Sequence, residues 1–335
     1  MENTLIEYSH LLERMLLQPT PRFIRLIGLI VSPEEARLLL AMPGQPASLS
    51  QKLELSLDRT EEMIRILFIK GMAFPSSKTD PPTWRMPREV AQFHDASILW
   101  PQAPQAFLDL WQEIMETEWP EIAKKISQFL PRPFTRVIPV GVAVPVSTQV
   151  LAFENVREII EKAKTLAVAK CTCRLIAHKC DRPLEVCIQV NKAADYTLAR
   201  GTGKEVSKQE ALDLLRISEE AGLIHVTMNK HQTDQLICNC CPCCCLTMPI
   251  LIKEGIRMVD PSRFQAVVDQ DLCTSCGACL ERCYFGALQT NEEDKTFVQG
   301  EKCLGCGLCR VVCPTEAISL TAVRPENFIP EKLFA

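Results

Sequence analysis

The sequence predicts an α+β multidomain chain, and three observations carry that prediction. All eighteen cysteines lie from Cys171 onward, so the two halves of the chain answer different chemical demands. Residues 1–90 read as capped helices followed by two short extended segments, whereas residues 151–260 alternate helical and strand-like stretches. Near the C-terminus one four-cysteine pattern occurs twice, at Cys273–Cys283 and Cys303–Cys313. Four segments follow: 1–90, a helical linker region 91–150, a cysteine-rich α+β region 151–260, and the duplicated-motif region 261–335.

The composition is that of an ordinary globular protein, 47% hydrophobic and 23% charged over 335 residues. That length accommodates two or three domains, each with its own core. A net charge of −4 supplies no overall electrostatic reason to bind nucleic acid. The start Met1-Glu2-Asn3-Thr4 has neither a basic region nor an apolar run of the secretory kind, which predicts a cytoplasmic protein. In a reducing compartment this many thiols serve as metal ligands rather than disulfides. The longest apolar run, Val137–Phe153, is interrupted by Pro139, Pro145, Ser147 and Gln149, so it is not a membrane span.

In the first segment Leu5–Leu17 carries a helical apolar pattern. Ser32-Pro33-Glu34-Glu35 supplies an N-cap, a proline at the first helical position and a capping-box glutamate for a helix through Met42, stopped by Pro43-Gly44. A short helix about Leu49–Leu55 precedes a longer one over Asp58–Lys70, which Gly71 terminates. Met72–Pro75 and Thr83–Met86 then read as extended segments around a Ser/Lys/Pro loop at Lys78. Three helices and a two-stranded wing are the order of a winged-helix domain, and the segment is similar to one. DNA recognition by Asp58–Lys70 is disfavoured, because Asp58, Glu61 and Glu62 offset Arg59, Arg65 and Lys70 and put acids where phosphates would lie. A protein-docking or structural wing is the expectation.

In the linker region Phe107, Leu110, Trp111, Ile114 and Met115 form one helical stripe for packing. Trp119-Pro120 is expected to break that helix, and Ile122–Leu130 to resume it until Pro131-x-Pro133. Pro139–Val150 reads as extended linker.

In the middle region Glu154–Lys164 reads as a helix and Thr165–Ala169 as a strand leading into Cys171-Thr172-Cys173-Arg174. Cys180 and Cys187 follow. Ser207-x-x-Glu210 caps a helix over Lys208–Ala221 with Gly222 as its stop, and Leu223–Met228 reads as a strand. Cys238-Asn239-Cys240-Cys241-Pro242-Cys243-Cys244-Cys245 then packs six cysteines into eight residues. One four-iron cube takes four thiolates, and neighbouring side chains diverge, so ten cysteines cannot all serve one metal. Cys171, Cys173, Cys180 and Cys187 make one candidate set for a third 4Fe–4S cluster. Members of Cys238–Cys245 could complete it, hold a further cluster, bind zinc or remain thiols. His178 and Arg174 lie beside these ligands. Arg200-Gly201-Thr202-Gly203-Lys204 lacks the spacing of a phosphate-binding loop and reads as a plain loop.

The last segment carries the strongest signal. Cys273-x-x-Cys276-x-x-Cys279-x-x-x-Cys283 is repeated as Cys303-x-x-Cys306-x-x-Cys309-x-x-x-Cys313-Pro314. Three thiolates two residues apart wrap a loop around one face of a cube, and the fourth points at the cluster held by the other repeat. One cluster is thereby assigned to Cys273, Cys276, Cys279 and Cys313, the other to Cys303, Cys306, Cys309 and Cys283. Four thiolates also suit zinc, but this interleaved pattern is not a zinc arrangement. These residues resemble the bacterial-type ferredoxins with two 4Fe–4S clusters, which implies short strands at Gly286–Leu288 and Glu316–Leu320. The first motif departs from that family by ending Cys283-Tyr284 where the second ends Cys313-Pro314. Taken together with Cys-x-Cys-Arg and the six-cysteine run, the whole chain is similar to multidomain iron–sulfur proteins of anaerobic bacteria.

The expected function is therefore single-electron transfer, as a carrier or as the electron-carrying subunit of an oxidoreductase complex. Its partners would be redox proteins. All ligands of the two repeats are cysteine, which leaves no open iron for substrate. Two other functions stay open at this point: a redox-responsive winged-helix regulator, and an enzyme with its site at Cys238–Cys245.

Overall fold

The computed structural model describes residues 2–76, 79–144, 151, 154–232 and 235–332. The chain divides into two compact units, Met1–Trp119 and Pro120–Ala335. The expected segment 1–90 falls within the first unit, 151–260 and 261–335 fall within the second, and the expected linker region 91–150 is divided between them.

The first unit contains α1 (Glu2–Arg14), α2 (Pro21–Gly28), α3 (Pro33–Ala41), α4 (Pro46–Leu53) and α5 (Leu57–Lys70). The short strands β1 (Phe74–Pro75) and β2 (Trp84–Arg85), then α6 (Val90–Ile98) and α7 (Gln105–Thr117), complete it. The capping box before α3 forms as expected: Ser32 N donates to Glu35 Oε2 at 2.8 Å and Glu35 N to Ser32 Oγ at 3.2 Å. Gly71 ends α5 in the left-handed region at φ 79°. β1 and β2 pair antiparallel, Phe74 opposite Arg85, and a bridge from Gly44 to Trp84 ties the turn before α4 to this hairpin. The aromatic stripe of α7 is core: Trp111 is fully buried, with Phe93 at 5.0 Å and Phe23 edge-on at 6.0 Å between ring centres. Thr20-Pro21 starts α2, the Thr20 hydroxyl accepting from Phe23 N, and α6 packs on α7 through Phe93 and Trp111. Lys78 and positions 145–150 of the expected extended linker lie outside the described residues.

The helix breaks close to where expected, at Glu118, and α8 (Trp119–Phe129) already resumes at Trp119, so Pro120 starts the second helix and does not lie in the break. In that first turn its missing N–H costs nothing.

The second unit is built on a seven-stranded sheet. Its strands are β3 (Thr135–Val137), β4 (Leu166–Lys170), β5 (Glu185–Val190), β6 (Gly203–Glu205), β7 (Ile224–Met228), β8 (Leu236–Cys240) and β9 (Val259–Asp260), in the order β6-β4-β5-β8-β7-β3-β9. Every pairing is antiparallel except β3 with β9. Four helices attach to it: α9 (Val156–Lys162), α10 (Thr172–Ala177), α11 (Lys192–Ala199) and α12 (Lys208–Glu220); α13 (Met248–Glu254) follows β8. The Ser207–Glu210 capping box starts α12, and β4 and β7 lie where the sequence puts them. Arg200–Thr202 is a turn, and Gly203 and Lys204 belong to the edge strand β6.

The register decides where the cysteines go. Lys170 at the end of β4 faces Glu185 at the start of β5, and Ile224 at the start of β7 faces Cys240 at the end of β8. Because β5 and β8 are antiparallel neighbours, Cys171–Cys180, Gly222 and Cys241–Cys245 all collect at one end of the sheet. The same end receives the chain leaving β3, where Ile138 N donates to His225 O and Val140 N to Cys306 O, each at 2.9 Å.

The C-terminal module pairs β10 (Phe264–Val268) with β13 (Ile318–Ala322) and β11 (Leu288–Thr290) with β12 (Thr296–Val298), both antiparallel. Short helices α14 (Ala278–Arg282) and α15 (Leu308–Val311) follow the two cysteine loops. One core joins module and sheet: Val137, Val140, Ile224, Val226 and Met248 pack with Phe264, Leu304, Leu308, Ile318 and Leu320.

Candidate metal centres

The two repeats fold alike. Each loop ends on a left-handed glycine, Gly277 (φ 74°) or Gly307 (φ 79°), that starts the following short helix. Gly305 is held against β10: at φ 64° a Cβ there would run into the Phe264 carbonyl and the Ser262 hydroxyl. Only glycine gives this turn without strain. Ser262 Oγ donates to Gly305 O at 2.8 Å and clamps the loop.

Cys273, Cys276, Cys279 and Cys313 line one cavity with Thr296 and Thr315. Cys276 is exposed and Cys279 buried. Cys273 lies below the usual thiol range, chiefly because the backbone N–H of Ser275 bonds its sulfur. The second set is drier. Burial pushes Cys306 up to about 12 and Cys303 upward, and burial with the neighbouring Cys306 charge pushes Cys309 up strongly. The Cys283 thiol acts electrostatically on all three. Backbone N–H groups aim at sulfur: Ala266 N donates to Cys303 Sγ at 3.5 Å and Ala287 N to Cys283 Sγ at 3.3 Å. Two all-thiolate sets, peptide donors to sulfur and loops without side chains at the contact fit a four-iron cluster each.

In the middle region the Sγ atoms of Cys180, Cys241, Cys243 and Cys244 all lie within 4.8 Å of one another. This quartet differs from the set read from spacing. Cys180 leaves Cys171, Cys173 and Cys187 because its loop, ahead of β5, closes onto the turn after β8. The strand pleat splits the six-cysteine run: Cys238 and Cys240 share one face of β8, and Cys240 bonds Cys238 and Cys245. Those bonds, with burial, push Cys240 well up, while Cys245, bonded by Cys240 and against the pull of burial, drops to about 7. Cys171 is the N-cap residue of α10, Cys173 lies within that helix, and Cys187 on β5 accepts from Gln189 Nε2 at 3.1 Å. His178 ends α10 in the left-handed region at φ 49° and is no member of the quartet. Arg174 is buried and donates to Asn239 O at 2.7 Å; burial opposes its charge, but Cys171 and Cys241 hold it protonated.

A tie between quartet and module is built by residues outside the cysteine pattern. Arg182 reaches from Cys243 Sγ (3.8 Å) to the Tyr284 hydroxyl (3.2 Å), which donates to Gly222 O at 3.0 Å. Arg282 donates to the Glu219 and Glu220 carbonyls at the end of α12. The sole signal available was Tyr284 standing where the second repeat has Pro314.

A duplicated loop–helix frame presenting two all-cysteine sets defines an iron–sulfur electron-transfer domain. The chain belongs, through residues 266–320, to the family described as 4Fe-4S dicluster domain. A ferredoxin of Pyrobaculum islandicum is 46% identical over 55 residues, 16% of this chain and 51% of that protein. Pyruvate synthase subunit PorD of Methanocaldococcus jannaschii is 35% identical over 64 residues, 19% of this chain and 72% of the subunit. The archaeal-type glutamate synthase [NADPH] of Thermotoga maritima is 34% identical over 79 residues, 22% of this chain and 16% of that enzyme. The chain thus spans about half the length of the ferredoxin and a small part of the synthase. No solved structure matches it. Among the described residues no helix is long and apolar enough to cross a membrane.

Proposed function

We propose that this chain is a cytoplasmic electron-carrying subunit that passes single electrons between partner oxidoreductase proteins. Cys273, Cys276, Cys279 and Cys313 hold one 4Fe–4S cluster, and Cys303, Cys306, Cys309 and Cys283 the other. The observation that carries this reading is that Cys313, from the second repeat, lines the same cavity as Cys273, Cys276 and Cys279 of the first. A bound cluster of this type accepts and releases one electron at a time. Exposed Cys276 makes the first centre the port to a partner. Burial of Cys303 and Cys309 disfavours added negative charge, which lowers the potential of the second centre relative to the first, where Cys276 is exposed. The relatives named as a pyruvate synthase subunit and a glutamate synthase support an oxidoreductase as the partner class.

The first unit acts in protein docking as a winged-helix-like module. Its order α3, α4, α5, β1, β2 and the Gly44–Trp84 bridge support that form. Two cations of α5 are engaged within the unit: Arg59 pairs with Glu34 at 2.7 Å and Glu62 at 2.8 Å, and Lys70 with Glu35 at 2.7 Å. Cations so engaged are poor phosphate ligands, which favours docking over a DNA-binding regulator.

Paired substitutions test the ligation. Anaerobic redox titrations followed by EPR should show Cys283→Ser disturbing the same centre as Cys306→Ser, and Cys313→Ser the same centre as Cys276→Ser. If Cys283→Ser matches Cys276→Ser, each motif closes on its own cluster; if neither changes a signal, the electron-transfer reading fails.

A further inference from the structure

We propose that Cys180, Cys241, Cys243 and Cys244 bind a single tetrahedral metal ion of the zinc class, not a third four-iron cluster, and that this ion pins the sheet end against the C-terminal module.

The argument is geometric. A lone ion with metal–sulfur bonds of about 2.3 Å sets its four sulfurs about 3.8 Å apart. Cys180 and Cys244 are separated by 3.8 Å, Cys243 and Cys244 by 3.8 Å, and no pair exceeds 4.8 Å. A cube spreads its ligands wider, because each thiolate sits beyond a different corner iron and sulfide fills the centre. This quartet leaves no room for that centre.

The local chain is also that of a mononuclear thiolate site. Cys241-Pro242-Cys243-Cys244 provides a Cys-x-x-Cys turn, and Cys244 N donates to Cys241 Sγ at 3.3 Å. Four thiolates around a divalent ion carry a net charge of about −2. Two guanidinium groups stand beside them to balance it: Arg182, 3.8 Å from Cys243 Sγ, and buried Arg174, placed by the Pro183 and Asn239 carbonyls. Binding releases the thiol protons to solvent and changes no oxidation state. With no vacant position and no redox change the ion is structural. Arg182 carries its effect onward, since the same guanidinium binds the Tyr284 hydroxyl next to Cys283.

Metal analysis of the anaerobically purified full chain tests the proposal without relying on electron transfer. The expected result is one zinc per chain beside about eight irons and matching sulfide. Cys243→Ser and Cys241→Ser should each lose the zinc and keep the irons, while Cys187→Ser, outside the quartet, should keep both. Chelation followed by added cobalt should restore one equivalent with the intense visible charge-transfer bands of tetrathiolate cobalt. A ninth iron without sulfide overturns the zinc assignment, because a lone tetrathiolate iron changes oxidation state where zinc does not. About twelve irons with matching sulfide, or no metal beyond the eight irons, overturns it. Cys276→Ser marks the separate failure: if it changes neither the iron count nor any redox signal, the ferredoxin ligation is wrong while the zinc result stands on its own.

Discussion

Glu154 holds the buried charge that locks the C-terminal module to the sheet. Its carboxylate accepts from Arg263 Nε at 2.7 Å, and the two side chains are 2% and 5% exposed. Arg136 on β3 is buried too; burial lowers it to about 10, and the Glu154 charge opposes that fall. Glu154→Gln keeps the shape but leaves two buried guanidinium groups facing a neutral amide. Breaking a buried ion pair by removing one partner costs about 3–5 kcal/mol. For a unit of this size each kcal/mol is worth about 2–4 °C, so melting should fall by about 6–20 °C. The loss should reach the metal site. The Arg263 carbonyl accepts from Val323 and Arg324, Arg324 donates to Ser262 O at 2.7 Å, and Ser262 clamps Gly305 in the Cys303–Cys309 loop. Anaerobic melts followed both by circular dichroism and by visible iron–sulfur absorbance measure this, and the absorbance should bleach at the lower temperature in the variant. A variant melting within about 1 °C of the parent would refute the reasoning, because a desolvated pair cannot be that cheap to break.

Two further outcomes follow from the same geometry. In metal-free protein, burial opposes ionisation of Cys180, but the Arg182 N–H and the Cys243 thiol lower it to about 7, whereas burial lifts Cys243 to about 11. Pulsed iodoacetamide with peptide mass analysis should therefore modify Cys180 ahead of Cys243, its rate climbing between about pH 6 and 8, and labelling of Cys243 ahead of Cys180 would refute this ordering. A thiol lowered from its ordinary 9.0 stabilises the apo fold fully above that value and loses the contribution as pH falls through 7. In gel shifts the full chain should bind duplex DNA no tighter than about 1 μM at physiological salt, since Arg59 and Lys70 are committed to Glu34, Glu62 and Glu35; sequence-selective nanomolar binding would restore the regulator.

Local chemistry was legible in the sequence wherever it acts within a few residues. Ser32, Gly71, Ser207 and Gly222 mark helix ends by side-chain capping or left-handed backbone, and those ends lie where expected. The duplicated cysteine motif is likewise short-range, and it pointed to residues that the family match also covers. The middle cysteines were not legible in the same way. Which sulfur meets which depends on β5 and β8 being neighbours, a pairing between residues almost fifty apart with no turn signal to announce it. Spacing alone grouped Cys180 with Cys171, Cys173 and Cys187, and the sheet register reassigns it. The break expected at Trp119-Pro120 falls at Glu118, and the second helix begins three residues earlier than expected, because a proline in the first turn costs a helix nothing.

The same register explains why the two repeats differ at one position. After Cys313 the chain needs only to turn back into β13, and Pro314 with its fixed φ serves that turn. After Cys283 the chain faces the sheet end, where the helix α12 has just stopped at Gly222 (φ 73°) and its last carbonyls need donors. Tyr284 supplies one to Gly222 O, Arg282 supplies others to Glu219 and Glu220, and Arg182 closes the contact by binding the phenol from the other side. Proline at 284 could donate to none of these groups. A side chain at Gly222 would strike both Arg282 and Tyr284, so glycine there serves the docking as well as the helix end. The symmetry of the duplicated motif is broken on the side where the module meets the cysteine-rich sheet.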